Sequence, residues 1–189
     1  MRREDRERSG DGGSVGIVEH TDMDNIILIG MPGVGKSTAG VILAKVLNYD
    51  FLDSDLVIQK ETKKRLKEII AERGIDGFNA IENEINSRIE VDHTVIATGG
   101  SVVYGAQAMA HFAEIGTIVY LKISYEQLDR RLGDLDERGV VHRENQTLRD
   151  LYEERTRLYE KYADITVELD GRDVAETVKA LTDVLQNLP

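Results

Sequence analysis

Residues 30–38 of the chain, GMPGVGKST, are of the types that hold phosphate groups. They match the pattern G-x-x-x-x-G-K-[ST] between an apolar run and a helical pattern, and the alternative is a glycine-rich turn that matches by chance. The glycines would let the backbone close round phosphates, toward which the first amides of the helix would point. We expect Lys36 to reach the β- and γ-phosphates of ATP and Ser37 to offer its hydroxyl to Mg²⁺. The residues predicted to contact the nucleotide here are Gly33, Val34, Gly35, Lys36, Ser37 and Thr38.

Two carboxylates, Asp53 and Asp55, lie two residues apart after the apolar pair 51–52. Because the carboxyl ends of parallel strands face one edge of a sheet, both side chains should lie beside the phosphate-binding residues. A carboxylate within hydrogen-bond reach of a hydroxyl can orient that hydroxyl and take its proton during phosphoryl transfer. Asp and Ser also favour turns and helix caps, so a structural role is the alternative.

Three further positions suit contact with a ligand. Gly99 and Gly100 follow a strand-like run, where a backbone without side chains can approach a ligand closely or simply turn. Arg155 lies in the middle of an apolar stripe in the helical segment 145–162. A guanidinium on an apolar face is costly unless paired, so Arg155 either meets an internal carboxylate or binds an anionic ligand, which we favour.

The elements that would position these residues alternate between short apolar runs and helix-period segments. Alternation of this kind predicts a three-layer α/β sandwich, in which helices cover a five-stranded parallel sheet. The strand-like runs are residues 26–29, 51–52, 95–97, 118–121 and 165–167. The helical segments are residues 37–47, 56–73, 77–90, 105–114, 124–132, 145–162 and 172–187. Residues 130–143 are too polar for a core and carry four arginines, which predicts a mobile lid over phosphates.

Length and composition limit the possible classes of protein. The 189 residues suffice for one domain, and the absence of cysteine excludes disulfides, thiolate nucleophiles and cysteine metal sites. A net charge of −11 argues against binding nucleic acid, and no window approaches the roughly 18 apolar residues of a membrane span. Residues 1–24 predict a disordered tail before a single domain at 25–189. We expect a cytoplasmic monomer with no nucleic-acid or membrane partner.

Together these motifs resemble the shikimate kinase family over nearly all of residues 25–187. The matching residues are the phosphate-binding segment, Asp53-Ser54-Asp55, Gly74, residues 78–82, Thr98-Gly99-Gly100, Arg131, Arg138, Arg155, Leu158-Tyr159 and Ala163-Asp164. The resemblance implies a P-loop kinase of amino-acid biosynthesis that uses ATP and Mg²⁺. Such an enzyme moves the γ-phosphoryl group onto a hydroxyl of a small hydroxylated acid, which by resemblance is shikimate.

The resemblance also implies roles on the nucleotide side. Asp53 would hold Mg²⁺ through water, next to the hydroxyl of Ser37. Arg131 would stack on adenine, and Arg138 would contact the phosphates as a catalytic residue together with Lys36. The match around Arg138 is loose, because the family's Arg-Pro-Leu-Leu reads RGVV at residues 138–141 here. Solvated surface charge is the alternative for both lid arginines.

On the acceptor side, the resemblance implies that Asp55 binds and activates the hydroxyl. Gly99 and Gly100 would contact the acceptor through their backbone, and Arg155 would bind its carboxylate. These roles agree with the chemistry argued above from the residues themselves.

One departure from the family lies on this acceptor side. Where the family reads Gly-Glu-x-x-Phe-Arg-x-x-Glu, residues 74–82 read GIDGFNAIE, so Asn79 replaces an arginine that would grip the acceptor. A neutral amide cannot pair a carboxylate as a guanidinium does. Glu82 has lost a positive neighbour and could bind a cation, which makes a hydroxylated amino acid such as homoserine a rival acceptor. The alternative for Glu82 is an ion pair with another lysine or arginine of the chain. We expect both Asn79 and Glu82 to contact the acceptor.

Two other classes of protein share the phosphate-binding motif. A nucleotide kinase would need further arginines on the acceptor side, and Asn79 removes one of them. A non-catalytic ATP-binding module would be expected to lose Lys36 or Asp55, yet both are present. The sequence therefore favours a metabolite kinase.

Overall fold

The computed structural model describes residues 25–132, 140, 142–143 and 145–187. Within them a five-stranded parallel sheet has the strand order β2-β3-β1-β4-β5. The strands are β1 Asn25–Ile29, β2 Asp50–Asp53, β3 Thr94–Ala97, β4 Gly116–Lys122 and β5 Ile165–Glu168. The predicted five-stranded parallel sheet is confirmed, and each predicted run lies inside the observed strand.

Seven α-helices flank the sheet in the described residues. They are α1 Lys36–Leu47, α2 Ser54–Thr62, α3 Leu66–Asn86, α4 Ala106–Ile115, α5 Tyr125–Leu132, α6 Leu148–Tyr162 and α7 Val174–Leu185. A short 3-10 helix, Val102–Tyr104, lies between β3 and α4. α6 begins later than the apolar pattern predicts, because Thr147 and Asp150 form a capping box. None of the described helices is long and apolar enough to cross a bilayer.

The helical pattern between β2 and β3 is divided differently from the prediction. α2 ends at Thr62 because Lys63 adopts a left-handed backbone with φ 55°. α3 then runs from Leu66 through a kink at Gly74, where φ is 69°. Glycine is the residue that accepts this conformation most readily, so the chain bends there without leaving the helix for long. The prediction of one helix over 56–73 is therefore wrong.

The core is built round β1, whose residues are all buried. Ile27 pairs with Ile96 of β3 on one side and with Ile118 of β4 on the other. A continuous apolar strand of this kind is typical of a parallel sheet covered on both faces. A smaller apolar cluster joins α2 to α3 and consists of Ile58, Ile69, Phe78 and Ile85.

The strand order brings three chemically important segments to one edge of the sheet. β3 lies between β2 and β1, so the carboxyl ends of these three strands are neighbours. β2 ends at Asp53, β3 continues into residues 98–101, and β1 continues into residues 30–35. This is the edge at which open α/β sheets bind their ligands.

Candidate active site

Residues 30–35 form the phosphate-binding loop and lead from β1 into α1. Gly30 has a φ of 145°, and a Cβ there would stand 2.7 Å from the carbonyl oxygen of Leu121, which real Cβ atoms essentially never do. Gly35 adopts a left-handed φ of 99° directly before α1. Both positions therefore require glycine. The side chain of Val34 is buried in the core, so this residue can offer a ligand only its backbone.

Lys36 lies inside this loop with 7% of its surface exposed. Its Nζ donates to the carbonyl oxygens of Gly30 at 2.7 Å and of Met31 at 2.9 Å. Burial lowers the pKa of Lys36 to about 8, while the charge of Asp55 opposes the shift and that of Arg155 adds to it. The ammonium is thus a buried positive charge held by neutral carbonyl groups, which phosphate oxygens could replace.

Ser37 in the first turn of α1 contacts Asp53 at the end of β2. Ser37 Oγ donates to Asp53 Oδ2 at 2.8 Å, and Asp53 Oδ1 accepts from the backbone amide of Asp55 at 3.0 Å. A hydroxyl next to a carboxylate fits Mg²⁺, which is commonly held by one or two protein groups plus phosphates and water. Among the residues described, no group of three or more His, Cys, Asp or Glu could hold a metal by itself. Asp53 also caps α2, so the structural role and a metal-binding role are compatible.

Asp55 stands in the first turn of α2 and lines the cavity described below. Burial raises the pKa of Asp55 to about 6, and the charge of Asp53 adds to this, while Lys36 opposes it. Its Oδ1 is buried and has no hydrogen-bond partner among the described residues. A carboxylate in this setting can accept a proton near neutral pH.

The loop, Asp55, the glycines after β3 and Arg155 of α6 surround one cavity of about 500 Å³. Its full lining is Pro32, Gly33, Gly35, Lys36, Ser37, Thr38, Asp55, Leu66, Phe78, Thr98, Gly99, Gly100, Ser101, Val140 and Arg155. The structure thus brings most of the predicted nucleotide and acceptor contacts to one space. Reasoning from sequence did not name Pro32, Leu66 or Ser101 as contacts. The position of Pro32 inside the phosphate-binding motif and that of Ser101 next to Gly99-Gly100 are the signals that could have suggested two of them.

Gly99 and Gly100 let other groups approach the backbone closely. A Cβ on Gly99 would stand 2.6 Å from Glu82 Oε1 and 2.8 Å from Asp55 Oδ1. A Cβ on Gly100 would stand 2.7 Å from Pro32 Cδ and 3.1 Å from Arg155 Nη1. Side chains at these positions would displace the acidic and basic groups, so glycine here serves close approach.

Glu82 lies behind the cavity wall and not in it. It is 2% exposed, and Oε1 has no hydrogen-bond partner among the described residues. Burial raises the pKa of Glu82 to about 7, although a hydrogen bond from Ser101 and the charges of Arg155 and Lys36 oppose the shift. The positive neighbours that the sequence left open are therefore Arg155 and Lys36, and contact of Glu82 with an acceptor stays a prediction.

Arg155 is buried, with 1% of its surface exposed, although it carries a full charge. Its Nε donates to the hydroxyl of Tyr104 at 3.4 Å, and its Cζ lies 5.4 Å from the centroid of the Tyr104 ring. Tyr159, one turn further along α6, donates its hydroxyl to the carbonyl oxygen of Gly100 at 2.6 Å. These contacts fix α6 against the segment that follows β3.

Three other predicted site residues lie elsewhere. Asn79 lines a second cavity of about 30 Å³ behind Arg155, and its Oδ1 is buried without a hydrogen-bond partner among the described residues. Arg131 is exposed in the last turn of α5 and lines neither cavity. Arg138, with most of the predicted lid, lies outside the described residues, as do residues 1–24.

The chain is similar to known kinases over most of its length. The family model described as shikimate kinase matches residues 32–186. A shikimate kinase of Haemophilus influenzae is 36% identical over 87% of this chain and 93% of its own length. One of Persephonella marina is 32% identical over 84% of this chain and 97% of its own length. The solved structure of a shikimate kinase from Acinetobacter baumannii in complex with shikimate matches with a TM-score of 0.78 and 30% identity, covering 86% of this chain and 93% of that one.

Proposed function

The chain belongs to the shikimate kinase family, and we propose that it transfers the γ-phosphoryl group of ATP to a hydroxyl of shikimate. The observation that carries this proposal is the position of Asp55, a half-buried carboxylate in the wall of the cavity that the phosphate-binding loop also lines. A proton acceptor beside a phosphate site is what transfer to an alcohol requires.

On the nucleotide side, the loop amides and Lys36 would bind the phosphates. Lys36 would exchange its bonds to the Gly30 and Met31 carbonyls for phosphate oxygens, whose growing charge its ammonium stabilises. Ser37 and Asp53 would hold Mg²⁺, which neutralises phosphate charge when bound. The loop thus orients the terminal phosphate toward the cavity that Asp55 lines.

On the acceptor side, Asp55 would accept a hydrogen bond from the reacting hydroxyl and then its proton. With a pKa of about 6, Asp55 is mainly ionised at neutral pH and can act as this base. Arg155 would pair the carboxylate of the acceptor, and the backbone at Gly99 and Gly100 would lie against its ring. The hydroxyl oxygen forms the new bond to phosphorus as the bond to the β-phosphate oxygen breaks.

A second candidate acceptor is a hydroxylated amino acid such as homoserine. Asn79 favours it, because an amide stands where the family has an arginine for the acceptor. Glu82 could attract the ammonium of such an acceptor, but it lies behind the wall of the main cavity and is hydrogen-bonded by Ser101. Because Glu82 lies behind the cavity wall, we favour shikimate over homoserine as the acceptor.

The test is ATP turnover on shikimate, homoserine, gluconate and nucleoside monophosphates, followed by ADP release and phosphorus NMR of the product. We expect turnover of shikimate with a raised KM, because one charge-assisted contact is missing. Asn79→Arg should lower this KM by about tenfold or more. Ala80→Arg, which adds the same charge at an exposed position of α3, is the control and should not.

Three results would contradict the proposal in different ways. Preference for homoserine, with no gain for shikimate in Asn79→Arg, would assign the enzyme to amino acids. Preference for a nucleoside monophosphate would assign it to nucleotide kinases. ATP binding without turnover of any acceptor would assign it to non-catalytic modules.

A further inference from the structure

Arg155 separates two cavities. Its side chain lines the main cavity, where Nη1 lies close to Gly100, and it also lines the smaller cavity of about 30 Å³. The smaller cavity includes Tyr104 from the 3-10 helix and Glu154 from α6. Arg155 is therefore in contact with a second set of polar groups besides those of the main cavity.

A chain of hydrogen bonds connects these polar groups to Arg155. Gln146 Nε2 donates to Glu154 Oε2 at 3.0 Å, and the Tyr104 hydroxyl donates to Glu154 Oε1 at 2.6 Å. Arg155 Nε in turn donates to the Tyr104 hydroxyl at 3.4 Å. Because the Tyr104 hydroxyl donates its hydrogen bond to Glu154, its oxygen lone pairs are available to Arg155.

This arrangement suits the orientation of a cation. A hydroxyl that donates to a carboxylate becomes a better acceptor for a second donor, since linked hydrogen bonds polarise one another. Burial and the bond to Glu154 both raise the pKa of Tyr104, so its hydroxyl keeps the proton that it shares. The Tyr104 ring also lies 5.4 Å from the Arg155 Cζ, within the range of a cation–π contact.

We propose that Tyr104 and Glu154 are positioning residues that hold the Arg155 guanidinium toward the main cavity to bind the carboxylate of the acceptor. The inference rests on the proposed function, in which Arg155 pairs that carboxylate. It extends to specificity, because Arg155 and Lys36 are the cations among the described residues that line the main cavity. Lys36 already belongs to the phosphate-binding loop.

The test compares an acid with its neutral ester. Tyr104→Phe keeps the ring and removes the hydroxyl, so we expect the KM for shikimate to rise about three- to tenfold. The KM for ATP should not change, and kcat should stay within about twofold. For shikimate methyl ester, which lacks the charged group, Tyr104→Phe should cause no rise in KM, because Arg155 then has no carboxylate to bind.

Two further variants make the test specific. Glu154→Gln should raise the KM for shikimate as well, and combining it with Tyr104→Phe should add little, because both changes break one chain of bonds. Tyr152→Phe is the matched control, since this hydroxyl on α6 donates to the Ile123 carbonyl at 2.9 Å and lines neither cavity. Tyr152→Phe should leave the KM for shikimate and the KM for its methyl ester unchanged.

The outcomes separate this inference from the proposed function. Three results for Tyr104→Phe would overturn the positioning role. They are an equal change in KM for the acid and the ester, an equal rise in the KM for ATP, and no change in any KM. Arg155→Lys tests the premise, because an equal loss on acid and ester would show that Arg155 does not bind the carboxylate. If the wild type prefers homoserine, the proposed acceptor fails and the same comparison is made with homoserine and its methyl ester. An enzyme that phosphorylates neither acid overturns both.

Discussion

Replacing Glu82 with glutamine should stabilise the protein at high pH, although it removes a charge from the site. Glu82 is 2% exposed, and burial raises its pKa from the ordinary 4.5 to about 7. The folded chain therefore binds this proton more tightly than the unfolded chain does. In consequence the free energy of unfolding falls as the pH rises from 4.5 to about 7, and the loss is complete above that range.

The size of the effect follows from the two pKa values of Glu82. Since each pH unit between them corresponds to about 1.4 kcal/mol, the raised pKa lowers the free energy of unfolding by about 3 kcal/mol at pH 8. At pH 5, where Glu82 is protonated in the folded chain but mainly ionised in the unfolded one, the loss is about 1 kcal/mol. A glutamine can still accept the hydrogen bond from Ser101 but carries no charge to desolvate. Glu82→Gln should thus raise the free energy of unfolding by about these amounts.

The measurement is urea unfolding at pH 5 and pH 8, followed by circular dichroism because the chain has no tryptophan. Glu84→Gln is the control, because this carboxylate is exposed on the same helix and lies 3.9 Å from its ion-pair partner Arg88. An exposed pair of this kind contributes little, so the free energy of unfolding should change little at either pH. A gain for Glu82→Gln that is equal at both pH values, or a loss of stability at pH 8, would refute the argument from burial.

Two further predictions concern the reaction. Asp55→Asn should lower kcat by at least about a hundredfold. The wild-type kcat/KM should rise with pH through about 6 as Asp55 loses its proton. A loss of kcat below about tenfold in steady-state kinetics would show that Asp55 has only a structural role in the first turn of α2. Lys36→Ala should abolish turnover without lowering the urea midpoint, because it removes a buried charge, whereas Lys45→Ala at an exposed position of α1 should change neither. Turnover by Lys36→Ala at the wild-type rate would contradict the role of the loop.

The sheet and the phosphate-binding loop could be predicted because their signals are local. The apolar run 26–29 and the glycine pattern that follows it specify a buried strand, a tight loop and a helix within a few turns of chain. The break between α2 and α3 could not be predicted in the same way. Lys63 takes a left-handed conformation that lysine rarely adopts, so the residue type gave no warning of it.

The acceptor side was only partly predictable, because its contacts join distant parts of the chain. Tyr104 and Glu154 are 50 residues apart, and neither stands in a motif that identifies it. Glu82 lies behind the wall of the main cavity, and a sequence pattern cannot tell a residue of a cavity wall from one in the layer behind it. Arg155 was recognisable as a costly cation on an apolar stripe, yet its partner Tyr104 could be found only from the fold.

The charges around the main cavity divide its tasks. The chain carries a net charge of −11, yet ATP and a carboxylate acceptor are both anions, so attraction has to be local. Two cations line the cavity among the described residues, Lys36 and Arg155. Lys36 is hydrogen-bonded within the phosphate-binding loop, and Arg155 is hydrogen-bonded to the hydroxyl of Tyr104 in the 3-10 helix. Asp55 is the carboxylate in the same lining, and its charge acts on Lys36. We infer that one cation serves each substrate, and that Asp55 acts where the two substrates meet.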